Sequence, residues 1–420
     1  VDLPGAFSMK GGGILENLAD SLTRSGTIGL DMITQNLNFL TALTGEAPNG
    51  TIVIPDSMNL KARVELKGPE YKANLHLKQG QGSMGVNAEL NTSTKAYAAD
   101  LKIDNLQLHN FLPKDSIYEL SLSADAKGRG LDVMSYRALA KLNLSLDQLH
   151  YARYQLSNVH LTGALKGALV TANLTSDNAL LKMTTDAEYN LAHRYPDGKV
   201  TVDVTQLDLH ELGLMPQPMK RPLAFNLSAE ARQNRVFTHL TSGDMKLNLS
   251  ARSGVNPLIS QSTHFMDVLM KQIDEKALNH AELREALPTA ILSFSAGKEN
   301  PLAYFLATKK ISYHDVSMKF GTAPDWGING KAAVHALKMD TLQLDTIFFT
   351  VKQDTTLMKL RAGVINGPKN PQFSFATTLT GEIRDRDAEL LVDYKNGKGE
   401  TGVLLGVNAR PLFEGHGKGN

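Results

Sequence analysis

Three glycines with the spacing of a nucleotide-binding loop are the first candidates for chemistry in this chain. Gly80, Gly82 and Gly85 spell G-x-G-x-x-G, a motif that binds a dinucleotide only where a helix follows the last glycine. Here residues 84–90 alternate between apolar and polar side chains, as a strand does. The sequence therefore predicts a hairpin turn at these glycines and no dinucleotide site.

A second candidate is His210-Glu211, which begins the H-E-x-x-H pattern of a zinc protease. The fifth position is Leu214, so the second histidine ligand is missing. The chain has no nucleophile elbow and no P-loop. It has 0 cysteines, which excludes disulfides, thiolate nucleophiles and Cys-ligated zinc. We therefore expect no catalytic residue, no metal site and no cofactor, that is, a protein that is not an enzyme.

The composition also narrows the range of partners. The chain has 44 basic and 43 acidic side chains, a net charge of +1, and 6% aromatic residues with 1 Trp. Neither a basic field nor a series of stacking platforms is present, so we expect no nucleic-acid partner. No apolar run approaches the roughly 18–20 residues that a membrane helix needs.

The elements that would carry any function are strands, because the dominant pattern has period two. Apolar and polar residues alternate through most of the chain, and Gly, Pro and Asn clusters separate the runs. This pattern is typical of antiparallel strands with one apolar and one solvated face. The predicted apolar face comprises Leu60, Ala62, Val64, Leu66, Val86, Ala88, Leu90, Leu120, Leu122, Ala124, Leu142, Leu144, Met183, Val202, Val204, Phe225, Leu227, Leu247, Leu249, Phe373, Phe375, Val403 and Leu405.

Two segments have helical spacing instead. Residues 12–46 and 258–287 carry apolar residues three and four positions apart, and Pro288 ends the second run. We expect short helices there, packed on the sheet or, alternatively, acting as a lid or docking helix. The predicted organisation is a helical segment at 1–50, β-groove repeats at 51–257, a helical insertion at 258–290 and a continuation of the groove at 291–420.

An internal repeat accompanies the alternation. The octet at 101–108 returns almost unchanged at 337–344, and a looser copy lies at 203–209. Such self-similarity indicates one supersecondary unit stacked on itself, and the uneven spacing of the copies indicates a degenerate array.

The fold class that follows is mainly β. A one-sided sheet is usually buried in a sandwich or a closed barrel with a bulky core. This face is rich in Leu, Val, Ala and Met and poor in aromatic and polar residues, so we expect an elongated antiparallel β-groove (a β-taco) with an apolar concave interior. Such a groove suits acyl chains, because each buried methylene contributes about 0.8 kcal/mol without any directional requirement. Two alternatives are a module whose strand edges pair with client strands and a closed structural β-solenoid or adhesin stalk.

Four further stretches resemble a known family. They are 207–214 (Leu-Asp-Leu-x-x-Leu-Gly-Leu), 297–302, 326–330 (Trp-Gly-Ile-Asn-Gly) and 345–347 after the second octet. Together with the repeat, they are similar to the TamB/AsmA-like envelope proteins of Gram-negative bacteria, over about residues 50–420. The resemblance implies a β-groove in the periplasm and an inner-membrane anchor that these residues do not include.

The activity that this resemblance implies is passage of phospholipid acyl chains between the inner and outer membranes during outer-membrane biogenesis. An alternative role is assembly of outer-membrane proteins beside a BamA-like barrel (TamA). That barrel would be bound through a region that is possibly outside these residues.

Overall fold

The computed structural model describes residues 1–37, 53–215, 218, 221–275, 278–384 and 387–409. Strands make up 61% of it and helices 10%. Across these ranges, 25 strands belong to one antiparallel sheet that is not closed on itself, with few short helices. The prediction of a mainly β, antiparallel fold is confirmed.

The chain divides into two compact units. Unit 1 comprises Val1–Ala192 and Val202–Pro222, and unit 2 comprises His193–Thr201 and the chain from Leu223 onward. The strands of unit 1 are β1 (Asp2–Leu3), β2 (Phe7–Glu16), β3 (Ser25–Thr34), β4 (Met58–Lys67), β5 (Glu70–Gln79), β6 (Gly82–Asn91), β7 (Ala96–Gln107), β8 (Ile117–Arg129), β9 (Leu139–Tyr151), β10 (Tyr154–Lys166), β11 (Leu169–Asp177) and β12 (Leu181–Asn190). Each pairs with its sequence neighbours as a meander.

Strand β13 (Gly198–Leu207) contributes residues to both units. Unit 2 continues with β14 (Leu223–Arg232), β15 (Arg235–Ser242), β16 (Met245–Ala251), β17 (Ala290–Ala296), β18 (Ile311–Ser312), β19 (Asp315–Ala323), β20 (Gly327–Met339), β21 (Leu342–Gln353), β22 (Met358–Asn366), β23 (Phe375–Ile383), β24 (Ala388–Lys395) and β25 (Thr401–Ala409). Here β17 pairs with β19, because the short β18 pairs with β20 instead.

Residues 12–46 do not form the predicted helix. The described part of this segment lies in β2, β3 and the loop between them, and residues 38–46 lie outside the described residues. In the β2–β3 ladder, Gly11 faces Leu30, Gly13 faces Ile28 and Leu15 faces Gly26. A large side chain on one strand thus faces a glycine on the other. Because glycine takes the place of some apolar residues, neither strand shows a complete apolar alternation in its sequence. The large apolar residues that are left have a spacing like that of a helix.

The second predicted helical segment is confirmed as two helices between β16 and β17. Helix α1 is Val255–Asp274 and helix α2 is His280–Glu285. They pack on each other through Val268, Leu283 and Ala286. A further helix, α3 (Pro301–Thr308), follows β17 in a stretch predicted to be groove. The Asn300 side chain caps it by accepting from the Ala303 N–H at 2.9 Å, and Pro301 occupies its first turn, a recognisable helix start.

The two octet copies adopt different structures. Residues 101–107 continue β7, with a register shift between Ile103 and Leu106. Residues 337–344 instead end β20, turn at Asp340 (φ 51°) and begin β21. A repeated sequence therefore marks the ends of strands, and it is not a repeated three-dimensional unit.

Candidate functional site

The apolar side chains of unit 1 form cross-strand rows on one face of the sheet. We define the covered row as Leu60, Leu77, Met84, Ile103 and Leu122, which lie directly opposite one another from β4 to β8. We define the open row as Ile28, Val64, Ala73, Ala88, Ala99, Ala126 and Leu142, which are paired in the same way from β3 to β9. Both rows lie on the same face because they are an even number of residues apart along each strand.

The covered row is shielded from solvent by two segments at the strand ends, one around Ile54 and one around Phe111. Met58, Leu77, Ile103 and Leu106 form a buried cluster, and Ile54, Leu108 and Phe111 are among the residues packed against it. The Val53 N–H donates to the Phe111 carbonyl at 2.8 Å, which joins the two covering segments. This end of the face is therefore an ordinary closed core.

The open row is exposed to solvent at four of its seven positions, and Ala88, Ala99 and Ala126 are half-buried. Its larger members, Ile28, Val64 and Leu142, retain 46%, 43% and 37% of their accessible surface. The other members of the row are alanines, so the row has no side-chain hydrogen-bonding group. Between the two rows lies a third, which includes Ala62, Val86, Leu101, Ala124 and Leu144. This surface can bind apolar matter, but it has no group that would direct a polar ligand.

Aromatic residues bound the open row on its other side. Leu66 pairs with Tyr71, Tyr71 with Leu90, and Leu90 with Tyr97. The Arg24 guanidinium lies 5.1 Å from the centre of the Tyr71 ring. Gly128 faces Tyr97, and an added Cβ there would lie 2.5 Å from Tyr97 Cζ. This glycine therefore accommodates the tyrosine ring at the margin of the apolar surface.

The opposite face of the same strands is charged. Lys72 and Glu89 form an ion pair at 2.9 Å, and Lys61 lies 3.8 Å from Asp31. The hydrogen bond from Lys72 to Glu89, together with the negative charge of Glu89, raises the pKa of Lys72 above its ordinary value. The two faces therefore differ sharply in polarity, as the alternation predicts.

Unit 2 has an apolar face of its own. One row runs from Leu227 through Leu240, Leu247, Phe294, Met318, Ala332, Phe349, Ala362, Leu379 and Val392 to Leu405. Helix α2 packs near one end of these strands, where Nε2–H of the buried His280 donates to the Ile383 carbonyl at 3.0 Å. Phe349, Leu379 and Leu405 are exposed.

The structure brings most of the predicted face residues together within each unit. In unit 1 the register places on one face Leu60, Ala62, Val64, Leu66, Val86, Ala88, Leu90, Leu120, Leu122, Ala124, Leu142, Leu144 and Met183. In unit 2 it does so for Leu227, Leu247, Leu249, Phe375, Val403 and Leu405. Phe225 has the parity of Leu227 on β14, and Val202 and Val204 lie on β13, where Val204 is buried.

Phe373 differs from the other predicted face residues. It precedes β23 and is exposed, although its ring stacks on Phe375 with 5.3 Å between centroids. Several face residues were not predicted, among them Tyr71, Leu75 and Leu77, which alternate with Lys72, Asn74 and His76 on β5. That alternation is visible in the sequence and was the signal that could have identified them.

The two motifs first considered lie in turns. Gly80 has a φ of 58° in the tight turn between β5 and β6, so the predicted hairpin is confirmed. His210 and Glu211 lie in the turn after β13, where both backbone N–H groups donate to Asp208 at 3.0 Å. In the part of the chain that the structure describes, no three His, Cys, Asp or Glu residues are grouped to hold a metal. No described helix has the length and apolarity needed to cross a membrane.

Comparison with known proteins adds no identification. No family model, curated protein or solved structure matches the chain. The resemblance to TamB/AsmA-like proteins therefore stays a prediction.

Proposed function

We propose that the apolar face holds phospholipid acyl chains, with the open row as its exposed part. In this proposal the protein is a non-enzymatic periplasmic bridge, anchored at the inner membrane, that carries lipid toward the outer membrane. The observation that carries the proposal is the exposure of Ile28, Val64 and Leu142 on a row that otherwise contains only alanine.

An acyl chain is the ligand whose chemistry agrees best with this surface. It needs no hydrogen-bonding partner, and each methylene removed from water contributes about 0.8 kcal/mol. The small side chains at positions 73, 88, 99 and 126 leave space above the sheet, whereas a core closed by another layer would be filled by interdigitating large residues. Exposed contiguous apolar surface of this kind is typical of interaction sites.

Photocrosslinking at paired positions tests the proposal. A photoreactive amino acid is placed at Val64 or Leu142, and in matched variants at the adjacent Arg63 or Lys141, all four of which are exposed. Strand neighbours point to opposite faces, so exposure is matched and only the face differs. After irradiation with phospholipid vesicles, we expect lipid adducts about fivefold or more enriched at 64 and 142, in line with an apolar preference of about 1 kcal/mol.

Equal adduct yields at all four positions would contradict the proposal, because lipid contact would then not depend on the face.

A second measurement separates lipid binding from lipid passage. The protein should also accelerate transfer of a fluorescent phospholipid from donor to acceptor vesicles, and retention of lipid without faster transfer would reduce the role to storage.

A second candidate function is favoured by the last described strand. Among the described residues of unit 2, β25 pairs with β24 and no other strand pairs with its second edge. It exposes Val403 and Leu405 on one face and Leu404 on the other. A strand with an open edge and two apolar faces suits pairing with a partner strand, as an assembly module beside a BamA-like barrel would need.

The two functions respond differently to one substitution. Leu404→Pro removes a backbone N–H and disturbs strand pairing at the edge, so it should impair partner binding while lipid adducts at Val64 are unchanged. Loss of both would show that the two roles are not independent.

A further inference from the structure

The charged face of unit 2 contains a cluster that the apolar face does not explain. Lys319 on β19 lies directly opposite Lys331 on β20. In the adjacent cross-strand row, Asn329 pairs with Lys352 of β21. The three lysines line one cleft together with Ile291 and Trp326. A basic rim thus surrounds an aromatic ring.

This arrangement is electrostatically unfavourable in the absence of an anion. Like charges directly opposite on neighbouring strands destabilise a sheet. Among the described residues, no carboxylate forms an ion pair with Lys319, Lys331 or Lys352. The nearby Asp354 accepts hydrogen bonds from the Thr355 backbone and hydroxyl, at 2.6 and 3.3 Å. These hydrogen bonds lower the pKa of Asp354, and the charge of Lys352 also helps to lower it. The positive charge of the rim is therefore only partly offset, and the remainder is available to a ligand.

The floor of the cleft is apolar. A Cβ added to Gly321 would lie 3.4 Å from Cζ3 of Trp326 and 3.7 Å from Cγ1 of Ile291. The indole therefore lies over the bare backbone of Gly321, beside Ile291. Trp326 retains 41% and Ile291 47% of their accessible surface, so part of the indole is open to solvent in the cleft that the lysines line.

The turn that carries Trp326 is fixed from three sides. Asn329 Nδ2 donates to the Trp326 carbonyl at 3.0 Å, and Arg284 Nε of α2 donates to the Pro324 carbonyl at 3.0 Å. Gly327 supplies a φ of 74°, and the Ile328 N–H donates to Gln353 Oε1 at 3.1 Å. The backbone that carries the indole is thus fixed before any ligand arrives, which lowers the entropy lost on binding.

We propose that this cleft binds a phosphate ester carried on a sugar ring. The phosphate would accept hydrogen bonds from the ammonium groups of Lys319, Lys331 and Lys352, each a compact charge with three donors. The ring would lie against Trp326, whose amphipathic surface suits a partner with one apolar face and one hydrated face. The site is on the charged face, so it does not depend on the lipid role of the apolar face.

Trp326 is the only tryptophan among the 420 residues, so tryptophan fluorescence, excited selectively over that of the 11 tyrosines, reports on this cleft alone. We expect glucose 6-phosphate to change the emission saturably, with inorganic phosphate binding more weakly and glucose causing no saturable change. Raising the salt to about 0.5 M should weaken binding, because exposed charges are screened at that ionic strength.

Two substitutions with the same loss of charge locate the site. Lys331→Gln should weaken glucose 6-phosphate binding about three- to tenfold, in the range for one exposed charge-assisted contact. Lys338→Gln removes an exposed lysine from the same strand outside the cleft and should leave binding unchanged. Lys331→Gln also relieves a like-charge pair, so it should not destabilise the fold, and unchanged emission without ligand verifies this.

Several outcomes would overturn the proposal. They are the absence of a saturable response to glucose 6-phosphate, equal affinity for inorganic phosphate, or equal weakening by Lys331→Gln and Lys338→Gln. A stronger response to phosphatidylglycerol vesicles than to glucose 6-phosphate would assign the cleft to a lipid headgroup and would also overturn it.

Discussion

The covered and open rows of unit 1 belong to one face of the same strands, yet they differ in both size and exposure. They are four residues apart along β4, about 13 Å at the usual strand rise. The covered row consists of Leu, Met and Ile packed under the segments around Ile54 and Phe111. The open row consists mostly of alanine, and its larger residues face solvent. One alternating pattern thus contains two functions: closing a core and presenting an apolar surface.

This difference separates stability from binding. Burial of large side chains in the covered row stabilises the fold, because the area removed from water is greatest there. The open row buries less area in the free protein than the covered row does, so substitutions there remove less buried area. Variants in the two rows can therefore alter one property and leave the other intact.

The largest effect is expected from truncation in the covered row. Leu77→Ala leaves a cavity among Met58, Ile103 and Leu106 and should lower the free energy of unfolding by about 2–4 kcal/mol. Val64→Ala, thirteen positions earlier in the open row, should lower it by less than about 1 kcal/mol, because only two methyl groups are removed from a side chain that is already partly exposed. Urea denaturation followed by circular dichroism measures both, and similar losses would show that the open row is part of the core.

Two glycine-to-alanine substitutions test whether side chains are tightly packed at the margin of the open row. An added Cβ at Gly128 would lie 2.5 Å from Tyr97 Cζ and would also clash with the Leu139 carbonyl oxygen, so Gly128→Ala should destabilise the protein by about 1–3 kcal/mol. At Gly85, on the charged face, nothing lies within 4 Å of an added Cβ. Gly85→Ala should therefore be neutral or stabilise by up to about 1 kcal/mol. A harmless Gly128→Ala would mean that both Tyr97 and the β9 backbone at Leu139 move aside, so that neither bounds the surface.

The sequence alone predicted which side chains share a face, but not which part of that face is covered. Alternation is a local property, and it identified many of the strands from β4 onward. Coverage depends on Ile54 and Phe111 folding across the strand ends, a non-local contact with no period of its own. The same limit explains β2 and β3, where Gly11 and Gly13 complement Leu30 and Ile28 on the partner strand. Helix α3 was predictable, since Asn300-Pro301 is a local start signal.

Lipid retention should distinguish the two faces of the sheet at two adjacent residues of β9. Leu142→Asp places a charge on the open row and should reduce phospholipid bound to the purified protein about tenfold, equivalent to about 1.4 kcal/mol. Its matched control is Lys141→Asp, which lies on the charged face opposite Lys127 and should leave retention unchanged. Native mass spectrometry counts the bound lipid.

Leu122→Asp is a poorer test of lipid retention than Leu142→Asp, because Leu122 belongs to the covered row and packs against the buried cluster around Leu77. A charge there would disturb folding as well as binding. If Leu142→Asp and Lys141→Asp both retained lipid fully, the acyl-chain proposal for the open row would be wrong.

The smallest effect concerns the charged face behind the open row. The pKa of Lys72 is raised by its hydrogen bond to Glu89 and by the charge of Glu89. A raised pKa means that the pair's contribution to stability is present below the ordinary lysine value of 10.5 and is lost as the pH rises through the higher folded value. Lys72→Met should therefore unfold at slightly lower urea than the parent at pH about 8, and the difference should vanish by pH about 12. Lipid retention should be equal in the two proteins at pH about 8, because the Lys72–Glu89 pair lies on the opposite face from the open row. A loss of lipid in Lys72→Met would show that the two faces are coupled.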